Sequence, residues 1–342
     1  MDDAAANALQ TLAAGSAEPL IDANDLEAFA PAWAELCRQA DTHPFARPEW
    51  VRAWLRTSDP LGDPVFLSVR LDGELIGAAA FAIDGDTARA LGDPDVTDYP
   101  PLTALPGYEV MVAEAVLEWM REDLTRRVVL WGIAEDSLFR PAFAAAGERL
   151  GWSVAEEPEV LAPRADLTGG WEAYLAGLAK HDRHELRRKL RNFAQAGEAR
   201  YTELADPASC APALEELFRL MRASHEGKAR FLTAEREAFF REAVGAAVAA
   251  GFGRLGELRL DEELAAMVVC LENGEGYYLY NSGYDPRFGR LAAGFVCKAS
   301  ALREASSRGK RFFDFLRGGE EYKRRLGGRP YQLYRLVLES HG

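Results

Sequence analysis

The stretch from Tyr280 to Ala299, YNSGYDPRFGRLAAGFVCKA, sets two arginines and three glycines where an aromatic strand gives way to a helical pattern. A strand-to-helix turn aims free backbone N–H groups at one spot, and the helix dipole adds partial positive charge there. That arrangement holds a phosphate or pyrophosphate, and Arg287 and Arg290 would bring two cations to it. The plainer alternative is that Gly283 and Gly289 serve tight turns while both arginines face water.

A second concentration of charge lies in KHDRHELRRKLRNF, with six Lys or Arg residues between positions 180 and 191 against two acids. On a helical wheel Leu186, Leu190 and Phe193 share a core-facing side. Lys180, Arg183, Arg187 and Arg191 form a stripe beside that seam at spacings of three and four. A stripe at the core edge can line a cleft, which makes Arg183 and Arg187 candidates for binding an acidic substrate or phosphates. Turned to solvent, it would do neither.

Proton-transfer candidates are fewer. His181, His184 and His225 are candidates by residue type, imidazole being the side chain most used for proton transfer. His225 ends a helix ahead of a Gly-Lys loop and is the one placed to face a cleft, unless its role is structural. Asp314 interrupts the apolar run FFDFL, so its carboxylate must be paired or hydrogen-bonded, in an active site or in the framework. No GxSxG string, P-loop or dinucleotide fingerprint is present, and no cysteine has a histidine nearby in sequence. Cys37, Cys210, Cys270 and Cys297 are scattered without a CxxC pair, so no metal site is expected and a reducing compartment, the cytoplasm, fits best.

The elements that must position these residues fall into two halves. In the first, PLIDA reads as a strand, followed by two helices (DLEAFAPAWAELCRQA and RPEWVRAWLRTS) and by PVFLSVRL and ELIGAAAFAI around a hairpin at Asp72-Gly73. The acidic, proline-rich GDPDVTDYPPL leads to a helix, a strand (RVVLWGI), another helix and a further strand. The second half repeats the order: a strand near ADLTG, the basic helix, ARYTEL, helices over 208–250, and three antiparallel candidates ending in GYYLYNSGY. A helix from about Ala292 crosses to RFFDFL, EEYKRRLG is a short helix, and YQLYRLVLE is expected to close the second sheet. The boundary is expected in the Pro- and acid-rich EEPEVLAPRADLTGG.

The 342 residues, 48% apolar and 27% charged, suit about two soluble globular domains. The acidic N-terminus lacks the features of a signal peptide and reads as a flexible tail over residues 1–17. No run of about 18 apolar residues marks a membrane span. A net charge of −14 weighs against nucleic acid as a partner. The sequence leaves the oligomeric state open.

That element order, with a phosphate-suited turn after the fourth strand, resembles the GNAT acyltransferase fold. Doubled, it resembles the CelD-like (BioF2-like) acetyltransferases and, more distantly, FemAB-like proteins. The carriers are KHDRHELRRKLRNFAQAG, YNSGYDPRFGRLAAG, FFDFLRGGEEYK and DVTDYPPL. The resemblance implies tandem GNAT-like α/β halves with mixed sheets: residues 18–162 without a CoA motif and residues 163–342 with an acyl-CoA site. It implies an N- or O-acyltransferase with acetyl-CoA as cosubstrate and a small-molecule or glycan-precursor acceptor. The FemAB-like relation implies aminoacyl-tRNA as an alternative donor, and a chain that had lost CoA would be a binding module.

Residue by residue, the resemblance places the cofactor at Tyr280, Asn281, Arg287, Gly289, Arg290, Leu291, Ala292, Ala293 and Gly294. The family's Arg/Gln-x-x-Gly-x-Gly/Ala string is met here with glycines shifted or replaced by alanine. Backbone N–H groups still serve if the alanines avoid positive φ. Tyr322 in EEYKRRLG corresponds to the tyrosine that protonates the leaving thiolate, and with a phenol pKa near 10 it keeps its proton near neutrality. Lys323 resembles a lysine placed beside the acceptor. Asp98 and Tyr99 match an Asp-Tyr element suited to a cationic amine, or else the aspartates of DVTDYPPL cap a turn.

Overall fold

A computed structural model describes residues 19–123 and 125–340; the tail expected over residues 1–17 lies outside them. In the first half β1 (Leu20–Asn24) leads into α1 (Leu26–Gln39) and α2 (Pro48–Thr57), then β2 (Asp63–Leu71), β3 (Glu74–Asp84), β4 (Thr87–Ala90) and β5 (Leu102–Ala104). After them come α3 (Glu109–Glu122), β6 (Arg127–Ala134), α4 (Phe139–Arg149) and β7 (Trp152–Leu161). The second half opens with β8 (Arg164–Asp166), α5 (Gly170–Gly177), α6 (Lys180–Gln195), β9 (Ala199–Leu204), α7 (Pro207–Ser224), α8 (Glu226–Phe231) and α9 (Ala234–Ala249). It continues through β10 (Gly253–Leu260), β11 (Glu263–Glu272), β12 (Gly276–Tyr284), a 3₁₀ turn (Pro286–Leu291), α10 (Ala293–Ser307), β13 (Phe312–Asp314), α11 (Glu321–Arg325) and β14 (Gln332–Ser340).

Local chemistry accounts for much of this. Asp72 and Gly73 both take positive φ (51° and 84°), the geometry a two-residue hairpin needs, and set Leu71 opposite Glu74. Asp25, Asp206 and Thr233 accept N–H bonds at the starts of α1, α7 and α9. Gly77 in the buried strand β3 lets α3 lie close, since a Cβ there would stand 2.3 Å from a Val112 methyl.

Two mixed sheets result, of order β1-β2-β3-β4-β6-β14-β7, with β5 paired to β3, and β8-β13-β12-β11-β10-β9. RFFDFL pairs in parallel with the aromatic strand as its crossover helix requires, Gly276 opposite Phe312 and Tyr278 opposite Asp314.

The expectation that YQLYRLVLE closes the second sheet is overturned. β14 lies antiparallel between β6 and β7 of the first sheet, with Leu336 opposite both Leu130 and Glu156. Its Leu333, Leu336 and Leu338 are all fully buried: Leu333 enters the core that both halves line, while Leu336 and Leu338 enter the core on the other side of the first sheet. Alternation specifies which faces of a strand are covered but not which sheet receives it.

The halves share a core as well as a strand. Trp50 of α2 meets Phe239 of α9 edge to face at 5.3 Å and Tyr280 of β12 at 5.0 Å, and its Nε1–H donates to Thr97. The DVTDYPPL loop and β12 are thereby held against each other on the two sides of a cleft.

Candidate active site

The turn after β12 is built as a phosphate cradle would be. Asp285 caps the 3₁₀ segment by accepting from the Arg287 N–H. Ala292 then takes a left-handed conformation (φ 55°, ψ 39°) and spends its N–H on the Gly289 and Phe288 carbonyls. The condition that the alanines avoid positive φ is therefore not met at Ala292, whose strained backbone is what turns the chain into α10. Phe295 and Val296 both donate to the Ala292 carbonyl, and Ala293 and Gly294 are the first two residues of α10, whose N–H groups have no acceptor within that helix. Both residues line a cleft of about 240 Å³ with Tyr284, Gly289, Phe295, Lys298 and Tyr322. The N–H groups that open a 15-residue helix suit a pyrophosphate.

The expected cations are not those the fold brings there. Arg287 is exposed and tied to Asp285 and Glu263, with a nitrogen 2.8 Å from each, and Arg290 and Leu291 do not line the cleft. Of the basic helix α6, Arg183 donates to the Leu175 and Ala176 carbonyls and ends α5, while Lys180, Arg187 and Arg191 face solvent. The stripe is thus a solvated face and a helix cap. Lys189 approaches instead, its ammonium 4.2 Å from the centre of the Phe295 ring and its pKa drawn down by burial. Lys298, the lone charge between Arg290 and Arg303, projects from α10 into the cleft, donates to the Gly294 carbonyl at 3.2 Å and lies 4.8 Å from the Tyr322 ring centre.

A second cleft of about 290 Å³ adjoins the first, and Tyr322 lines both. Its floor comes from β12 (Tyr280, Asn281, Ser282), so Tyr280 and Asn281 belong to this cleft and not to the phosphate turn. Arg317, Glu320 and Lys323 form one wall, Lys228 of α8 a second, and Asp98 of the first half a third. Tyr322 packs edge to face on Phe315, and burial holds its hydroxyl well above the usual phenol range, firmly protonated. Asp98 accepts the Arg317 N–H at 2.8 Å. Burial raises its carboxyl to about 6, against the pull of that N–H and of the Arg317 charge. Lys228 hydrogen-bonds the Ser282 carbonyl and hydroxyl, and burial lowers its ammonium to about 7. Tyr322, Asp98 and Lys228 thus surround one space, an acid and two groups poised near neutrality.

Other expected residues go elsewhere. His225 is an exposed helix cap whose Nδ1 accepts the Gly227 N–H; the Gly-Lys loop did reach the cleft, but through Lys228. Lys323, almost wholly buried, donates to the carbonyls of Leu316, Arg317 and Gly318 and pairs with Glu320, so it fixes the turn that carries Tyr322. Asp314 lines neither cleft. Its carboxylate accepts from the Tyr99 hydroxyl at 2.6 Å, Arg164 Nε at 2.7 Å and the Leu316 N–H at 2.7 Å. Arg164 in turn stacks on Tyr331, 3.6 Å from its ring centre. Tyr99 therefore serves the framework; with Arg164, His43 and Asp136 it faces a separate cavity of about 470 Å³ on the far side of its loop from Asp98. Among the described residues no helix is long and apolar enough to cross a membrane, and no His/Cys/Asp/Glu cluster could hold a metal ion.

Residues 180–324 match the family model described as an acetyltransferase (GNAT) domain. No curated protein matches the chain. Among solved structures, FemX is 11% identical, with 92% of this chain and 96% of that one covered at a TM-score of 0.65. A conserved protein of unknown function from Bacteroides thetaiotaomicron VPI-5482 is 13% identical over 94% and 100% of the two chains, at 0.61. L-PGS from Bacillus licheniformis is 14% identical over 85% and 90%, at 0.55. At such identities these likenesses establish the fold, two GNAT-like α/β halves in one chain.

Proposed function

We propose that this chain, a GNAT-superfamily acyltransferase, transfers an acyl group from acyl-CoA, most simply acetyl-CoA, to the amine or hydroxyl of a small acceptor. The observation that carries the reading is the position of Tyr322, which alone among the expected catalytic residues borders both the cradle at Ala293–Gly294 and the cleft reaching Asp98. The N–H groups of Ala293 and Gly294, with Lys298 beside them, would hold the pyrophosphate end of the donor. Acyl-CoA supplies the acyl group as a thioester.

The chain's own residues then divide the proton work. Asp98, titrating near 6, takes the proton that the acceptor's nucleophile sheds. Tyr322, protonated at any physiological pH, gives one to the departing thiolate. The acid comes from the second half and the base from the first, so the site is complete only when the halves are packed. An acidic chain of −14 lacks the broad basic surface that a tRNA-borne donor requires, and this favours acyl-CoA over the aminoacyl-tRNA alternative.

Thermal shift of the full chain with CoA, acetyl-CoA and bulk tRNA tests the donor, because a ligand of the native state raises Tm. Stabilisation by CoA and not by tRNA is expected; the reverse would refute the reading. Tyr322→Phe should keep CoA affinity and slow turnover by about 10²–10⁴, the range of general-acid catalysis. Undiminished turnover in that variant would remove Tyr322 as the acid.

A further inference from the structure

Two ammonium groups in the joined clefts lack counter-charges. Lys310 and Lys323 are matched by Glu272 and Glu320. Lys228 and Lys298 form no ion pair among the described residues: Lys228 meets the carbonyl and hydroxyl of Ser282, and Lys298 the Gly294 carbonyl and the face of the Tyr322 ring. An ammonium has three hydrogens, so one remains on Lys228 and two on Lys298. Glu320, the acid whose charge acts on both lysines, is held by Lys323. Asp98, across the second cleft, is held by the Arg317 N–H. Removing a cation from water without a partner is costly, and proteins keep such a group where a ligand completes it.

The two lysines stand on either side of Tyr322, one in each cleft. Lys298 belongs to the donor cradle. Lys228 belongs to the acceptor side, where the proposed donor has no phosphate to offer. The acceptor cleft, about 290 Å³, is at the lower edge of the range for small-molecule sites, so its occupant is small.

Resting on the acyltransferase reading above, we propose that the acceptor carries an oxyanion, a carboxylate or a phosphate, on the same small molecule as its nucleophile, with Lys228 as the counter-charge. The amine or hydroxyl then faces Asp98 and the oxyanion faces Ser282 and Lys228, so the substrate class is that of amino acids or amino-alcohol phosphates. A neutral sugar or a simple polyamine leaves Lys228 unmatched and is rejected for that reason.

The test uses matched pairs of probes on the full chain: lysine against cadaverine, and phosphoethanolamine against ethanolamine, each followed by thermal shift and calorimetry. The first pair reports a carboxylate and the second a phosphate. At least one oxyanion-bearing member should stabilise the protein and bind about tenfold or more tighter than its partner, as a charge-assisted hydrogen bond would give. Lys228→Met should abolish that preference while leaving the response to CoA. If the Met variant fails to fold, Lys228→Gln keeps a donor for Ser282 without the charge and is expected to lose the preference equally. A wild-type protein indifferent to both oxyanions, or a Lys228 variant that still prefers them, overturns the proposal. CoA binding without any preference leaves the donor reading intact, whereas a Lys228-dependent preference without CoA binding retires the donor reading alone.

Discussion

Replacing Asp314 by alanine separates a framework role from a catalytic one. In the folded chain its carboxylate is fully buried and takes three short hydrogen bonds, from Tyr99, Arg164 and Leu316. Alanine leaves the Arg164 guanidinium among the Tyr331 and Phe312 rings, with Asp136 at 3.6 Å as its remaining acid. It also frees the N–H of Leu316, which that bond holds at a left-handed φ of 59°. Stranding one member of a buried ion pair costs about 3–5 kcal/mol, which in a chain of this size lowers Tm by roughly 4–7 °C. Urea denaturation followed by circular dichroism measures the loss. Adding Arg164→Met removes the stranded charge while keeping an apolar stem against Tyr331, so the double variant should recover at least about 2 kcal/mol. A loss under about 1 kcal/mol for Asp314→Ala, or a double variant no more stable than the single, refutes the framework account. A stable double variant with a thousandfold loss of turnover would return Asp314 to the chemistry.

Three further outcomes follow from the geometry. The folded Asp98 carboxyl sits near 6, above its unfolded value near 4, so the native state loses stability as pH rises from about 4 to 6. Asp98→Asn should therefore be more stable than the parent by about 2–3 kcal/mol at pH 7 and match it near pH 3.5; a gain independent of pH would contradict this. At Ala292 the left-handed backbone predicts an inverted ranking, with glycine neutral or up to about 1 kcal/mol stabilising and valine the worst. Stability ordered as in an ordinary helix would show that the turn differs in solution. Trp50→Ala should cost about 3–5 kcal/mol, and limited proteolysis should then cut between the halves, since this ring bridges Phe239 and Tyr280; an unchanged digestion pattern would count against a shared core.

What the sequence disclosed, and what it hid, divides along a physical line. Features fixed within a few residues were legible: the Asp72-Gly73 hairpin, the turn after Tyr284, the necessity of partners for Asp314. Features that depend on which distant surface a side chain meets were not. The α6 stripe gave the right helix and the right core seam, but a wheel cannot say that Arg183 would find the carbonyls ending α5 while Lys189 would reach Phe295. His225 drew notice by its residue type, although the same loop carried Lys228. Lys298 left a trace that could have been read, a single charge in an otherwise apolar helix start, which is the helical counterpart of Asp314 in its strand. Nothing local distinguished β14 from a strand of the second sheet.

The placement of β14 bears on how such a chain can be made. A ribosome delivers β6 and β7 about 170 residues before the strand that must lie between them. Domains ordinarily fold as they emerge. Here the first half leaves the exit tunnel with β6 as an open sheet edge, β7 without any strand partner, and the sites for Leu333, Leu336 and Leu338 unfilled. Those edges are a template for any neighbouring strand. Synthesis and folding are therefore coupled through nine residues, and a chain interrupted before Gln332 leaves both β6 and β7 without the strand that joins them.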